Sequence, residues 1–218
     1  MLRTHEIARQ IPARRTSHSP AMVTPRAAWY LAIEGSGEPW GNGFDARLDA
    51  LRLADRTLRA IARRHGVLHP PARLEAQWWV DAPDGVFPDA PTDRWRWRLL
   101  LSVPDAVTAG ILRDAATRLT LARGRHPLVA DVELVQLDEG PCLQQLQTGP
   151  VEAEPRPAAA MRAYAEAEGL TLDGRHHQIY LSDPRRVPPE RQRVILRQPL
   201  TPRRDRVCRP LGRTSHAA

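Results

Sequence analysis

The segment that most limits what this chain can become is Arg94–Val103. Trp95, Trp97, Leu99 and Leu101 alternate there with Arg94, Arg96 and Arg98. Period-two alternation marks a half-exposed antiparallel strand, with one face against a core and one facing out. A sheet with one apolar face needs a cover, and the sequence supplies it. From Phe44 to His65, apolar residues fall at Phe44, Leu48, Leu51, Leu58, Ile61 and Ala62, a single stripe at helical spacing. Gly66 suits the end of that helix, and Pro70-Pro71 blocks any continuation.

The same reading extends along the chain. Strands are expected at Ala27–Glu34, Leu74–Val80, Val129–Leu137, Cys142–Thr148 and Arg193–Arg197. A second helix is expected from Pro104-Asp105 to Arg123, burying Val107, Ile111, Ala115 and Leu119. A third runs from Glu154-Pro155 to Gly169. The order is β-α-β-β, a helix, then β-β-α-β-β, an α+β arrangement that hints at a twofold structural repeat. Residues 1–26 read as a flexible N-terminal arm, 27–200 as the folded domain, and 201–218 as a flexible Arg-rich tail.

Charge separates these parts. The net +7 of the 218 residues is carried by the ends, where residues 1–26 hold five Arg and one Glu, and residues 185–218 hold ten Arg and two acids. The centre is mildly acidic, with seventeen Arg against twenty-two acids. That distribution argues against nucleic acid as the partner. No apolar run approaches a membrane span and none near Met1 resembles a signal-peptide core, so a cytoplasmic location is expected. The Arg/Ser-rich start leaves a transit peptide as the alternative. Cys142 and Cys208 have neither disulfide-framework nor metal spacing.

The segment Arg175-His176-His177-Gln178-Ile179-Tyr180-Leu181-Ser182-Asp183-Pro184-Arg185-Arg186 begins as a strand and ends in a turn. Gln178 and Tyr180 share one strand face, with His177, Ile179 and Leu181 on the other. An amide and a phenol side by side on an otherwise apolar strand call for hydrogen-bond partners or a cavity. His176 and His177 face oppositely, so they cannot ligate one metal from a straight strand, and packing histidines are the simpler reading. Six Trp are present, at 29, 40, 78, 79, 95 and 97. With Tyr30 and Tyr180 they could line a cage, aromatic faces being suited to flat ligands. Trp95 and Trp97 serve equally well as plain core. Trp78 and Trp79 point to opposite faces, so at most one lines a given cleft.

This segment resembles the C-terminal signature of the GyrI-like small-molecule-binding family, His-His-Glu-Ile-Tyr-Leu-Ser-Asp-Pro-Arg-Arg. The resemblance continues in Tyr30–Pro39, Leu74–Trp79, Gly140–Pro150, Pro189-Glu190-Arg191 and Ile195–Pro199, in family order. It implies two βαββ modules related by a pseudo-twofold axis, with antiparallel sheets, helices packed on them and a ligand cleft between the modules. Some members hydrolyse the cyclopropane ring of aromatic DNA-alkylating antibiotics, using an aromatic cage; no metal or other cofactor is expected for this chain. By that resemblance, Tyr180 would donate to the ligand carbonyl and Gln178 would orient the water. Trp78, Trp79, Trp95, Trp97, Tyr30, Trp40 and Gln147 would form the ligand site. The chain departs from the pattern at two of these positions. Gln178 stands where the family usually has Glu, and Gln147 where relatives often show His. The expected partner is a planar aromatic small molecule, and the alternative is an effector-binding module that acts on a partner protein.

Overall fold

The computed structural model describes residues 17–81, 90–122, 124, 126–150 and 155–202. Most of the N-terminal arm (1–16) and of the tail (203–218) therefore lies outside the described residues. Nine strands and three α-helices make up the architecture: β1 (Ala21–Val23), β2 (Ala28–Ser36), α1 (Asn42–Arg64), β3 (Leu74–Val80), β4 (Trp95–Val103), α2 (Ala109–Ala122), β5 (Glu133–Leu137), β6 (Cys142–Thr148), α3 (Pro155–Ala167), β7 (Leu170–Leu172), β8 (His176–Tyr180) and β9 (Arg193–Pro202).

All strand pairings are antiparallel, in the order β1-β6-β9-β8-β3-β4-β2-β5, with β7 added to the end of β9. The twofold repeat is visible in that order. One module is β2-α1-β3-β4 and the other is β6-α3-β8-β9. Each presents its third element, β3 or β8, to the other. The pseudo-dyad therefore passes between β3 and β8, where Ala76 faces Gln178 and Gln77 faces His177.

A short connection forces the sheet to curl. β5 and β6 lie six strand spacings apart, roughly 29 Å if the sheet were flat. The chain from Leu137 to Cys142 can reach only about 18 Å. The link passes across the face away from the helices, because Glu139 within it contacts His177 and Arg197 there. That face is concave and filled by Tyr30, Ala32, Leu100, Leu146, Ile179 and Ile195, all buried. The outer face carries the helices. Leu48, Leu51, Leu58 and Ile61 of α1 pack there against Leu31, Ile33, Leu99 and Leu101, as the helical stripe requires.

Several boundaries differ from the sequence reading, each for a local reason. Helix α2 begins after Thr108, whose hydroxyl accepts from the Ile111 amide, and the preceding Pro104 closes a turn with Val107 instead. Residues 127–131 form a 3-10 turn that buries Val129, so β5 starts only at Glu133. Strand β9 runs on to Pro202 because β6 and β7 flank its second half. Strands β1 and β7, three residues each, have too little pattern to be seen in sequence. β1 belongs to the N-terminal arm, and pairing with β6 is what orders it.

One glycine is fixed by packing. Gly35 of β2 pairs with Trp97 of β4, and a Cβ added at Gly35 would overlap the six-membered ring of that indole. Trp97 is fully buried and donates its Nε1–H to the Gly37 carbonyl at 3.2 Å.

Candidate functional site

On the outer face, directly paired residues form rows that run across both modules. One row is Ile33, Leu99, Ala76, Gln178, Leu196 and Gln145. The next contains Tyr180, Val194 and Gln147. Helix α1 packs mainly on β2 and β4, and α3 mainly on β6 and β7, which places β3 and β8 between them. The two central strands thus lie along a seam between the helices, with Gln178 and Tyr180 on its floor and small Ala76 opposite Gln178.

Within this seam Tyr180 donates its hydroxyl to Gln178 Oε1 at 2.6 Å, a buried contact. Aromatic rings stand around the pair. Trp40 meets Tyr180 edge-on at 5.7 Å and Phe44 at 4.6 Å. Phe44 stacks on Trp78 at 6.0 Å and tilts against Trp97 at 4.9 Å, and Trp78 meets Trp95 edge-on at 5.9 Å. Trp78 and Trp97 are buried, whereas Trp40 and Trp95 keep partial exposure. Gln147 lies on the same face and donates to the Pro150 carbonyl at 2.7 Å. Below the seam, Arg185 of the turn after β8 pairs with Asp45 and Asp49 on α1, and Arg52 pairs with Asp183. This ties the end of β8 to the first module.

Trp40 has a left-handed backbone, φ 61°, alone among the non-glycine residues described. For an L-residue that costs about 1–2 kcal/mol, and the contacts of its ring with Phe44 and Tyr180 hold it there. Strain of this kind collects at ligand clamps. Trp40→Gly should therefore be more stable than Trp40→Ala by about 1 kcal/mol, glycine adopting the positive φ freely. Thermal denaturation of the two variants checks this; an alanine variant equal to or above the glycine one would contradict the strain.

The remaining residues named from sequence, Tyr30 and Trp79, lie on the other face of the sheet. Trp79 stacks under the Arg175 guanidinium at 3.6 Å and donates to Asp81. These residues line an open notch with Glu34, Arg47 and Arg96. Tyr30 faces the concave interior beside Glu75. Burial, reinforced by the Glu75 carboxylate, pushes its phenol up, so it remains protonated and hydrogen-bonds Glu75.

The concave face also holds a network that sequence reasoning did not identify. His177 is fully buried between two carboxylates, with Glu139 on Nδ1 at 2.9 Å and Glu75 at Nε2 at 3.1 Å. Arg197 bonds Glu139 at 2.8 Å and Gln144 at 3.0 Å. Burial alone would lower the His177 imidazole, but Glu139 and Glu75 more than offset it and the net direction is up. Burial would likewise raise Glu139, but His177 and Arg197 hold it below its ordinary value. His176, on the helix side, goes the other way and is lowered by burial to about 4. The Cys142 thiol is pushed up to about 12 by burial, which removes it as a nucleophile near neutral pH. Among the described residues, no three His, Cys, Asp or Glu side chains are placed to hold a metal ion, and no helix is long and apolar enough to cross a membrane.

No family model and no curated protein matches this sequence. Solved structures do. An uncharacterised conserved protein from Listeria innocua is similar at 30% identity and a TM-score of 0.75, over 86% of this chain and 94% of that one. A hydrolase from Listeria innocua is similar at 30% identity and a TM-score of 0.71, over the same 86% and 94%. The C-terminal domain of EcmrR superposes with a TM-score of 0.52 at 5% identity, over 84% of this chain and 98% of that one, a likeness of fold alone. With a 30% identical relative covered almost end to end, the chain belongs to the family of these Listeria innocua proteins, and its fold is that of the GyrI-like effector-binding domains.

Proposed function

We propose that this chain binds a planar aromatic small molecule, a xenobiotic or DNA-alkylating antibiotic, in the seam between its modules. In this reading it opens a cyclopropane ring on that ligand by adding water. The observation that carries the proposal is the buried Tyr180–Gln178 pair, walled by Trp40, Phe44, Trp78 and Trp95 over the two central strands. A flat apolar enclosure with a few convergent polar groups is what a drug-sized aromatic ligand needs. The 30% identity to a Listeria innocua hydrolase supports a hydrolytic reading of the same fold.

The chemistry asks little of a base when the cyclopropane is conjugated to a carbonyl. The water oxygen bonds the outer ring carbon, the strained C–C bond breaks, and its electron pair passes to the carbonyl oxygen. That oxygen then takes up the proton lost by the water, leaving a phenol. The protein must clamp the plane, place a donor on the oxygen where charge grows, and hold the water.

The second reading is a non-catalytic effector-binding module that sequesters ligand or regulates a protein partner. It is favoured by Gln178 itself, because an amide accepts no proton near neutral pH. Incubation with a cyclopropane-bearing DNA alkylator, followed by mass spectrometry and tryptophan quenching, separates the two. The hydrolase reading predicts a ligand heavier by one water. Quenching with unchanged ligand would support the binding module, and no quenching would overturn both.

A further inference from the structure

We infer that the cleft selects neutral ligands that carry a conjugated carbonyl acceptor, and discriminates against cations, because Gln178 presents its amide N–H to the ligand. The inference rests on the seam being the ligand site. It goes further by assigning the polarity of that site and hence the ligand class.

The orientation of the amide carries the argument. The Tyr180–Gln178 contact is 2.6 Å. That is an O–H···O length, shorter than N–H···O bonds run. The Tyr180 proton is therefore directed at Gln178 Oε1, and Nε2 with its two hydrogens is turned away from the phenol. Among the described residues Nε2 donates to no protein acceptor, and Gln178 keeps a small exposure of 6%. Its neighbours across the strands are Ala76 and Leu196, which offer it nothing. What the floor of the seam shows a ligand is a donor. A carboxylate in the same place would accept a hydrogen bond from the Tyr180 hydroxyl and show the ligand only acceptors.

Among the described residues, the flanking carboxylates are engaged elsewhere. Asp45 and Asp49 are committed to Arg185, and Asp183 to Arg52. Glu75 and Glu139 lie on the opposite face of the sheet, bound to His177. Among the described residues, a cation entering the seam would shed water without an uncommitted carboxylate shown to receive it, and ring faces would attract it. A carbonyl oxygen of the same flat frame would instead meet an N–H already pointing at it.

The test compares two tricyclic probes of nearly equal shape, acridone (neutral, with a carbonyl) and 10-methylacridinium (a cation), by isothermal titration calorimetry. The full chain is expected to bind acridone about tenfold more tightly than the cation, the size of one oriented hydrogen bond plus an uncompensated charge. Gln178→Glu should reverse the order. Tyr180→Phe, which buries no new charge, should release the amide to rotate and narrow the preference toward unity. A wild-type preference for 10-methylacridinium, or a preference that neither variant changes, would overturn the donor assignment while leaving the seam as the binding site. Failure of both probes to bind would overturn the aromatic-seam reading and this inference with it.

Discussion

Replacing His177 by alanine is expected to destabilise the fold by about 3–5 kcal/mol, the cost of breaking a buried ion pair by removing one partner. The imidazole is completely buried between Glu75 and Glu139. Without it, two carboxylates share the interior with Arg197 as their remaining cation. The effect should depend on pH in a defined way. The His177 folded value is raised, so its contribution is full below its unfolded value of 6.5 and lost as pH rises through the folded value. Glu139 is lowered, so its contribution is full above 4.5 and lost as pH falls through its own folded value. Wild-type stability from this network is therefore greatest between pH 4.5 and 6.5, and the alanine variant should show a flatter profile. Urea denaturation across pH 4–9 measures both. A loss under 1 kcal/mol, or an unchanged profile, would mean that this buried network does not stabilise the fold.

Gly35→Ala should cost about 3 kcal/mol, at the upper end for overpacking. The added methyl would overlap the Trp97 ring, and that ring has nowhere to move. It is fully buried, packed on Phe44, and held by its bond to the Gly37 carbonyl. Trp97→Leu alone opens a cavity and is also destabilising. The double variant should recover part of the Gly35→Ala loss, because the smaller side chain leaves room for the methyl. Denaturation of all four proteins gives the coupling; strict additivity would show that the clash is relieved elsewhere.

Much of this architecture is legible in the sequence because it is written in periods. The α1 stripe and the β4 alternation need only counting. The period of two places Gln178 and Tyr180 on one face of β8, and in the folded chain they are hydrogen-bonded. It also separates Trp78 from Trp79, but cannot say which face carries the helices, since that is settled by the curl of the whole sheet. The His177 network was hidden for the same reason. Glu139 reads as one residue of the turn Asp138-Glu139-Gly140. It meets His177 and Arg197 only because five strands lie between β5 and β6 and the link must cross the concave face. The positive φ of Trp40 has no sequence signal either. It is held by contacts with Phe44 in the first turn of α1 and with Tyr180 in the other module.

The measurement that bears most directly on the site is an NMR titration with acridone, following the six indole N–H signals assigned by single Trp→Phe substitutions. A ligand in the seam should shift Trp40 and Trp95 most, with Trp78 beneath them, and leave Trp79 on the far face unmoved. Movement of Trp79 with Trp40, Trp78 and Trp95 unchanged would place the ligand in the arginine-lined notch instead and contradict the account.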